Sequence, residues 1–277
     1  MSARHHNRAR RRPDGPRRTS ERAARRRRNL AFARRDALVQ ARLQDLAPDA
    51  LVVDVGSGRL RRAGWVGSRR YVCTDIRPFA NVDLLADGTA LPFASRSADA
   101  VLLLEVLEHV ARPRELLAEA RRVLKPGGTV VVSVPSTVPR HEEDDYWRFT
   151  AQGLGQLCAG LFPEGEVHAF GGTFETLAFL VSYYLALGAG RAAVPVRRLQ
   201  IALMSIGQWL DSHNQWSSST TRLHTLHLDV LFVGHPADCS GDAVAGPDAE
   251  SAPAAEDAGN LAGRQEHGSG AGKHHAQ

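Results

Sequence analysis

Asp54, Gly56, Ser57, Gly58 and Asp75 are residues whose types and spacing could do chemistry. Leu51-Val52-Val53 runs into Asp54 and Val55 and then into a Gly-Ser-Gly turn. An apolar, β-branched run without polar alternation suits a strand buried on both faces of a parallel sheet. The glycines let the chain turn sharply and let a ligand approach the backbone where a Cβ would clash. About twenty residues further on, Tyr71-Val72-Cys73-Thr74 delivers Asp75. In a doubly wound sheet an acid at that spacing can accept hydrogen bonds from ribose hydroxyls. Strand, glycine turn, helix, strand and acid together point to a nucleoside-containing cofactor.

Departures from the dinucleotide pattern narrow the choice. A pyrophosphate binder needs G-x-G-x-x-G, with a free helix N-terminus facing the phosphates. Here Arg59, Leu60 and Arg61 follow Gly58, so the third glycine is missing. Asp54 would also repel a pyrophosphate. An acid at that place suits a ligand with a positive amine, such as the methionine part of S-adenosylmethionine.

The downstream order adds specificity. Leu91-Pro92-Phe93 is followed by Ser97-Ala98-Asp99-Ala100-Val101, then by Val106-Leu107-Glu108-His109-Val110, then by Leu124-Lys125-Pro126-Gly127-Gly128. This series resembles the class I S-adenosylmethionine-dependent methyltransferases, in the type 11-like subgroup with an LPF, VLEHV and LKPGG signature. The resemblance covers Asp49 to Gly155, and Arg59-Leu60 replaces the tail of the family's first glycine loop. It implies a Rossmann-like, doubly wound, mostly parallel α/β sheet with one late antiparallel strand. It assigns Asp54, Gly56, Ser57 and Gly58 to the methionine end of S-adenosylmethionine and Asp75 to the ribose, with Ile76 beside it. Asp87 and Gly88 go to the adenine edge. The backbone of Glu105 borders the methionine moiety.

Methyl transfer from a sulfonium is an in-line displacement, so the enzyme mainly positions two partners and excludes water. A side-chain base is needed only where the acceptor must lose a proton. His109 is a candidate, because an imidazole titrates near neutral pH. Glu105, Glu108 and His109 would share one face if they opened a helix. Some relatives with an E-x-x-E-H block hold a divalent metal there, and His141 could add a ligand. The expectation is a structural signature without a metal. The block His141 to Thr150 follows the fifth strand and resembles the D-Y-W-R-F-T segment of methyltransferases of glycan or natural-product pathways. His141, Asp145, Tyr146 and Trp147 are acceptor-site candidates, with His109, His141 and Tyr146 as the catalytic set. Thr150 can cap the next helix, and Arg148 can pair with an acid of the loop.

These residues need elements to hold them. A helix is expected over Asn29–Leu46 and strands over Leu51–Asp54, Tyr71–Asp75, Asp83–Leu85, Ala100–Glu105, Thr129–Val134 and Leu226–Gly234. Further helices are expected over Arg112–Val123 and Ala151–Leu161. The stretch 171–219 holds two largely apolar helices, read as an inserted lid, a dimer face or a membrane-surface contact, with core packing as the plain alternative. Residues 29–236 form the methyltransferase domain. The arginine-rich arm 1–28 and the Ala/Gly/Asp/Glu-rich tail 237–277 read as disordered.

Composition bounds the setting. The 277 residues carry a net charge of +5 and three widely spaced cysteines, Cys73, Cys158 and Cys239. An odd, scattered set without zinc spacing suits a reduced compartment. The start lacks a secretory apolar stretch, so a cytoplasmic protein is expected, with peripheral membrane contact open. The acceptor is expected to be an oxygen or nitrogen of a small molecule or glycan, possibly apolar or lipid-linked. The alternatives are an RNA methyltransferase with a metal-assisted E-x-x-E-H site and a non-catalytic binder of anionic partners. Nucleic acid could reach the arm by charge alone, though a solvated arm is favoured.

Overall fold

The computed structural model describes residues 30–67, 70–188, 193–213 and 226–236. The expected arm and tail lie outside the described residues. The chain opens with α1 (Leu30–Gln44), then β1 (Leu51–Val55), β2 (Arg70–Asp75), β3 (Leu84–Leu85) and β4 (Ala98–Leu104). There follow α2 (Pro113–Val123), β5 (Leu124–Pro135), α3 (Ala151–Ala159) and β6 (Glu164–Phe170). The helical pair α4 (Thr173–Gly188) and α5 (Ala193–His213) precedes β7 (Asp229–His235).

Seven strands form one sheet in the order β3-β2-β1-β4-β5-β7-β6. β1, β2, β3, β4 and β5 pair in parallel, while β7 runs antiparallel to β5 and β6. This is the doubly wound sheet with a late antiparallel strand that the sequence implies. Side chains alternate across it with the period of two that a strand imposes. Val53, Val55, Val101 and Leu103 pack on one face with Leu116, Leu117 and Ala120 of α2 and with Leu154 of α3. Val52, Leu102 and Val131 face the other side, against Val39 and Leu43 of α1. Burial on both faces explains the unbroken apolar runs.

One expectation needs correction, and one strand is an addition. The helix expected between β1 and β2 is replaced, among the described residues, by one 3-10 turn at Ala63–Trp65. Gly64 and Gly67 interrupt that stretch, and Arg62 is drawn inward to an acid of β1, which a surface helix would not allow. The strand β6 was not expected at all. It runs through Glu164-Gly165-Glu166 at the sheet edge, largely exposed, so it lacks the apolar pattern that marks buried strands. Helix α3 begins where Thr150 predicts: the Thr150 hydroxyl accepts from the Gly153 amide at 3.0 Å.

Candidate functional site

The strand order reverses between β1 and β4, and open α/β sheets bind ligands at the carboxyl ends of the strands beside such a switch point. β1 ends there in Gly56, which has φ +64°. A Cβ on Gly56 would lie 2.7 Å from a methyl of Val106, so the turn packs directly under the segment that follows β4. Gly58 has φ +58° and open space on its Cβ side. The Ser57 amide donates to the Thr74 carbonyl at 3.1 Å and ties the loop to β2.

Asp75 closes the same corner. One carboxylate oxygen accepts from the Gly58 amide and the other from the Arg77 amide, both at 2.8 Å. These bonds fix the carboxylate while each oxygen keeps a lone pair for a hydroxyl donor. Ile76, next in the chain, is 70% exposed and offers an apolar surface beside the acid.

Asp54 departs from its expected place. Its side chain lies on the α1 side of the sheet, fully buried, with Arg62 at 3.0 Å and the Tyr71 hydroxyl donating to it. Burial raises its pKa, and Arg62 and Tyr71 offset that only in part. The positive partner expected from a ligand amine is thus supplied by the chain itself. The carboxylate anchors the underside of the glycine loop.

The remaining cofactor candidates sit around this corner. Asp87 accepts from the amide and hydroxyl of Thr89, which lower its pKa. Gly88 has no room for a side chain, since a Cβ would meet Leu116 at 2.7 Å and Val55 at 3.1 Å. Glu105 caps β4 with φ +60°, unusual for a residue bearing a Cβ. Such strain collects at functional sites and needs surrounding contacts to hold it. Those contacts are Arg35, at 2.8 Å from the Glu105 carboxylate, and the Ser133 hydroxyl at 3.1 Å. Arg35 is buried in α1 and also reaches Asp229 of β7 at 2.6 Å.

The E-x-x-E-H block does not open an α-helix. The left-handed Glu105 breaks it, and only a 3-10 turn forms at Leu107–His109. Glu105 turns to Arg35, so Glu105 and Glu108 are not neighbours on a helix face. Glu108 is buried, and neither carboxylate oxygen has a hydrogen-bond partner. Burial pushes its carboxyl well above the ordinary range, and the charge of Glu105 adds to that.

His109 and His141 meet edge to face, with ring centroids 5.2 Å apart. His109 Nδ1 lies against the Asp144 carbonyl, which can only accept, so Nδ1 carries the proton. In the neutral ring Nε2 is then the acceptor, 3.6 Å from a Glu108 oxygen. His141 Nδ1 faces the Asp145 carboxylate at 3.3 Å. Arg148 forks onto Asp145 and holds its pKa down to about 2. One ligand atom each from Glu108, His109 and His141 lie within 4.8 Å of one another. Tyr146 is exposed and donates to Asp144 at 3.1 Å, which raises its phenol pKa. The Trp147 indole donates to the Val110 carbonyl at 3.0 Å. Thus the structure gathers His109, His141 and Asp145, while Tyr146 turns outward.

Residues 53–132 match the family model for a methyltransferase domain. That match likens the middle of the chain to a methyltransferase domain. It is 42% identical over 90 residues to a demethylmenaquinone methyltransferase of Renibacterium salmoninarum, covering 32% of this chain and 33% of that one. It is 56% identical over 48 residues to an uncharacterized methyltransferase of Mycobacterium tuberculosis, covering 17% and 19%. The chain spans about a third of the length of the curated relatives it matches. The solved [4+2]-cyclase SpnF is similar with a TM-score of 0.47 at 17% identity, over 75% of this chain and 82% of that one.

Sequence reasoning missed Arg35, Arg62, Tyr71 and Asp229. Both arginines come from arginine-dense stretches, where any one of them reads as a solvated charge. The available signal was Asp229, an acid between Leu228 and Val230 in an otherwise apolar strand. A buried acid demands a cation.

Proposed function

We propose that this protein transfers a methyl group from S-adenosylmethionine to an oxygen or nitrogen of a small molecule with apolar character. The observation that carries the reading is the Asp75 carboxylate, fixed by the Gly58 and Arg77 amides beside an exposed Ile76 at the switch point. That arrangement suits a ribose with an adenine lying alongside it. The cofactor supplies a methyl group on a sulfonium. The glycine loop and the backbone of Glu105 would seat its amino-acid end, and Asp75 would orient the ribose. His109 Nε2 would take the proton of the acceptor O–H or N–H as the acceptor atom bonds the methyl carbon and the carbon–sulfur bond breaks. The relative named demethylmenaquinone methyltransferase supports a lipid-like small-molecule acceptor. Incubation with tritiated-methyl S-adenosylmethionine and either a lipid extract or total RNA tests this. Label in the organic phase is expected. Folded protein that binds the cofactor and labels neither would point to a non-catalytic binder.

One observation favours a second reading, a metal-assisted enzyme such as an RNA methyltransferase. Glu108 offers two buried oxygens without partners, and His109 and His141 lie within ligand reach. Their Nδ1 atoms are engaged by Asp144 and Asp145, the kind of contact that orients metal-bound imidazoles. A divalent ion would be held by these three and would bind the acceptor oxygens. Chelator dialysis separates the readings. Unchanged transfer supports the metal-free enzyme; loss restored by Mn²⁺, Mg²⁺ or Zn²⁺ supports the second.

A further inference from the structure

The helical pair is built inside out for water. The polar residues Glu175, Thr176 and Ser182 of α4 are buried. Every exposed side chain described on α4 is apolar or aromatic: Leu177, Val181, Tyr184, Leu185 and Leu187. Leu177, Val181, Tyr184 and Leu185 follow the i, i+4, i+7, i+8 spacing of one helix face. Val181 is 50% exposed and Tyr184 61%. α5 continues the pattern with Leu199, Ile206 and a Trp209 that is 58% exposed. The acids of the pair are turned inward. Glu175 accepts from the Ala31 amide at 3.1 Å and from Gln208 at 3.2 Å. Asp211 accepts from the Phe174 and Glu175 amides at 3.1 and 2.8 Å. No exposed carboxylate remains among the described side chains of α4 and α5.

A strongly basic segment precedes α1. Residues 1–28 contain twelve arginines against Asp14 and Glu21. They lead into α1, whose first turn is fixed to α4 by the Ala31–Glu175 bond and by the edge-on contact of Phe32 with Phe179 at 6.1 Å. The positive segment is thus tethered through α1 to the helix that carries the acid-free apolar face. An apolar helical face with aromatic residues, in one chain with a polybasic segment, has the two components that stable binding to an anionic bilayer surface requires. No helix among the described residues is long and apolar enough to cross a membrane, so the contact would be peripheral.

We propose that α4 and α5 dock on an anionic phospholipid surface, with the arginine-rich segment supplying the charge attraction. The proposal does not depend on which acceptor is methylated.

The test is co-sedimentation of the full chain with phosphatidylcholine vesicles containing about a third phosphatidylglycerol, beside pure phosphatidylcholine vesicles, at low and high salt. Binding to the anionic vesicles is expected, falling as salt screens the arginines. A Val181→Glu/Tyr184→Glu variant should lose at least about tenfold in partition, since it places two charges in the bilayer interface. A variant with Arg25, Arg26, Arg27 and Arg28 changed to alanine should lose its preference for anionic over neutral vesicles. Both variants should keep wild-type S-adenosylmethionine affinity, which shows that they are folded. No binding of the wild type to either vesicle overturns the proposal. So does vesicle binding that survives the glutamate variant while a wild-type dimer, seen by sedimentation velocity, is lost; the face then covers a second copy of this chain.

Discussion

At the scale of single residues the account rests on Asp75. Its carboxylate is held by two backbone amides and faces the glycine loop. In the proposed function, replacing it with alanine removes charge-assisted hydrogen bonds to the ribose, which contribute about 1.5–3 kcal/mol. S-adenosylmethionine affinity should fall by about 10- to 100-fold, read by calorimetric titration. Arg35 is the second decisive residue. It is buried and bridges Glu105 and Asp229, and removing one partner of a buried ion pair leaves an uncompensated charge. Arg35→Met should cost about 3–5 kcal/mol in urea unfolding. Sequence made Asp75 legible because its strand and spacing are both visible. Arg35 was not, because its partners lie 70 and 194 positions away, and a buried arginine looks the same in sequence as a solvated one. Asp54 was legible as important but misread in partner, since Tyr71 meets it through the pairing of β1 with β2 and Arg62 through the turn between them.

At the scale of elements, the turn after β1 is where backbone and packing agree. Gly56 is left-handed and abuts Val106. Alanine there would cost about 1–2 kcal/mol for the backbone and about 1–3 kcal/mol for the overpacking, seen as a lowered denaturation midpoint. The N-cap of α3 gives a smaller effect. Thr150→Ala should destabilise by about 1 kcal/mol, since Gly153 loses its acceptor, and the same unfolding curve would read it. The buried strands were legible from their apolar runs. β6 was not, because it lies at the sheet edge and mixes Glu, His and Gly with few apolar residues. Its place is set by β7: Gly165 leaves the space that the Phe232 ring fills, where a Cβ would come within 2.1 Å. No local pattern reports a contact between positions so far apart in sequence.

At the scale of the molecule, a parallel sheet with helices on both faces presents the loops after β1, β2, β4 and β5 along one edge. The proposed cofactor corner uses the first three. The loop after β5 brings His141 and Asp145 to the Glu108–His109 turn. In the proposed function, that division separates cofactor binding from acceptor handling. Asp75→Ala should therefore impair cofactor affinity, whereas His109→Ala should lower the transfer rate at saturating cofactor by about 10²–10⁴-fold if His109 takes the acceptor proton. Unchanged turnover in the His109 variant would remove it from the proton path.

The most direct test of the central claim is calorimetric titration of the full chain with S-adenosylmethionine and S-adenosylhomocysteine, beside Asp75→Ala. The expected result is saturable binding of both ligands that the substitution weakens. A folded wild-type protein that binds neither would contradict the account and leave the corner beside the glycine loop without its ligand.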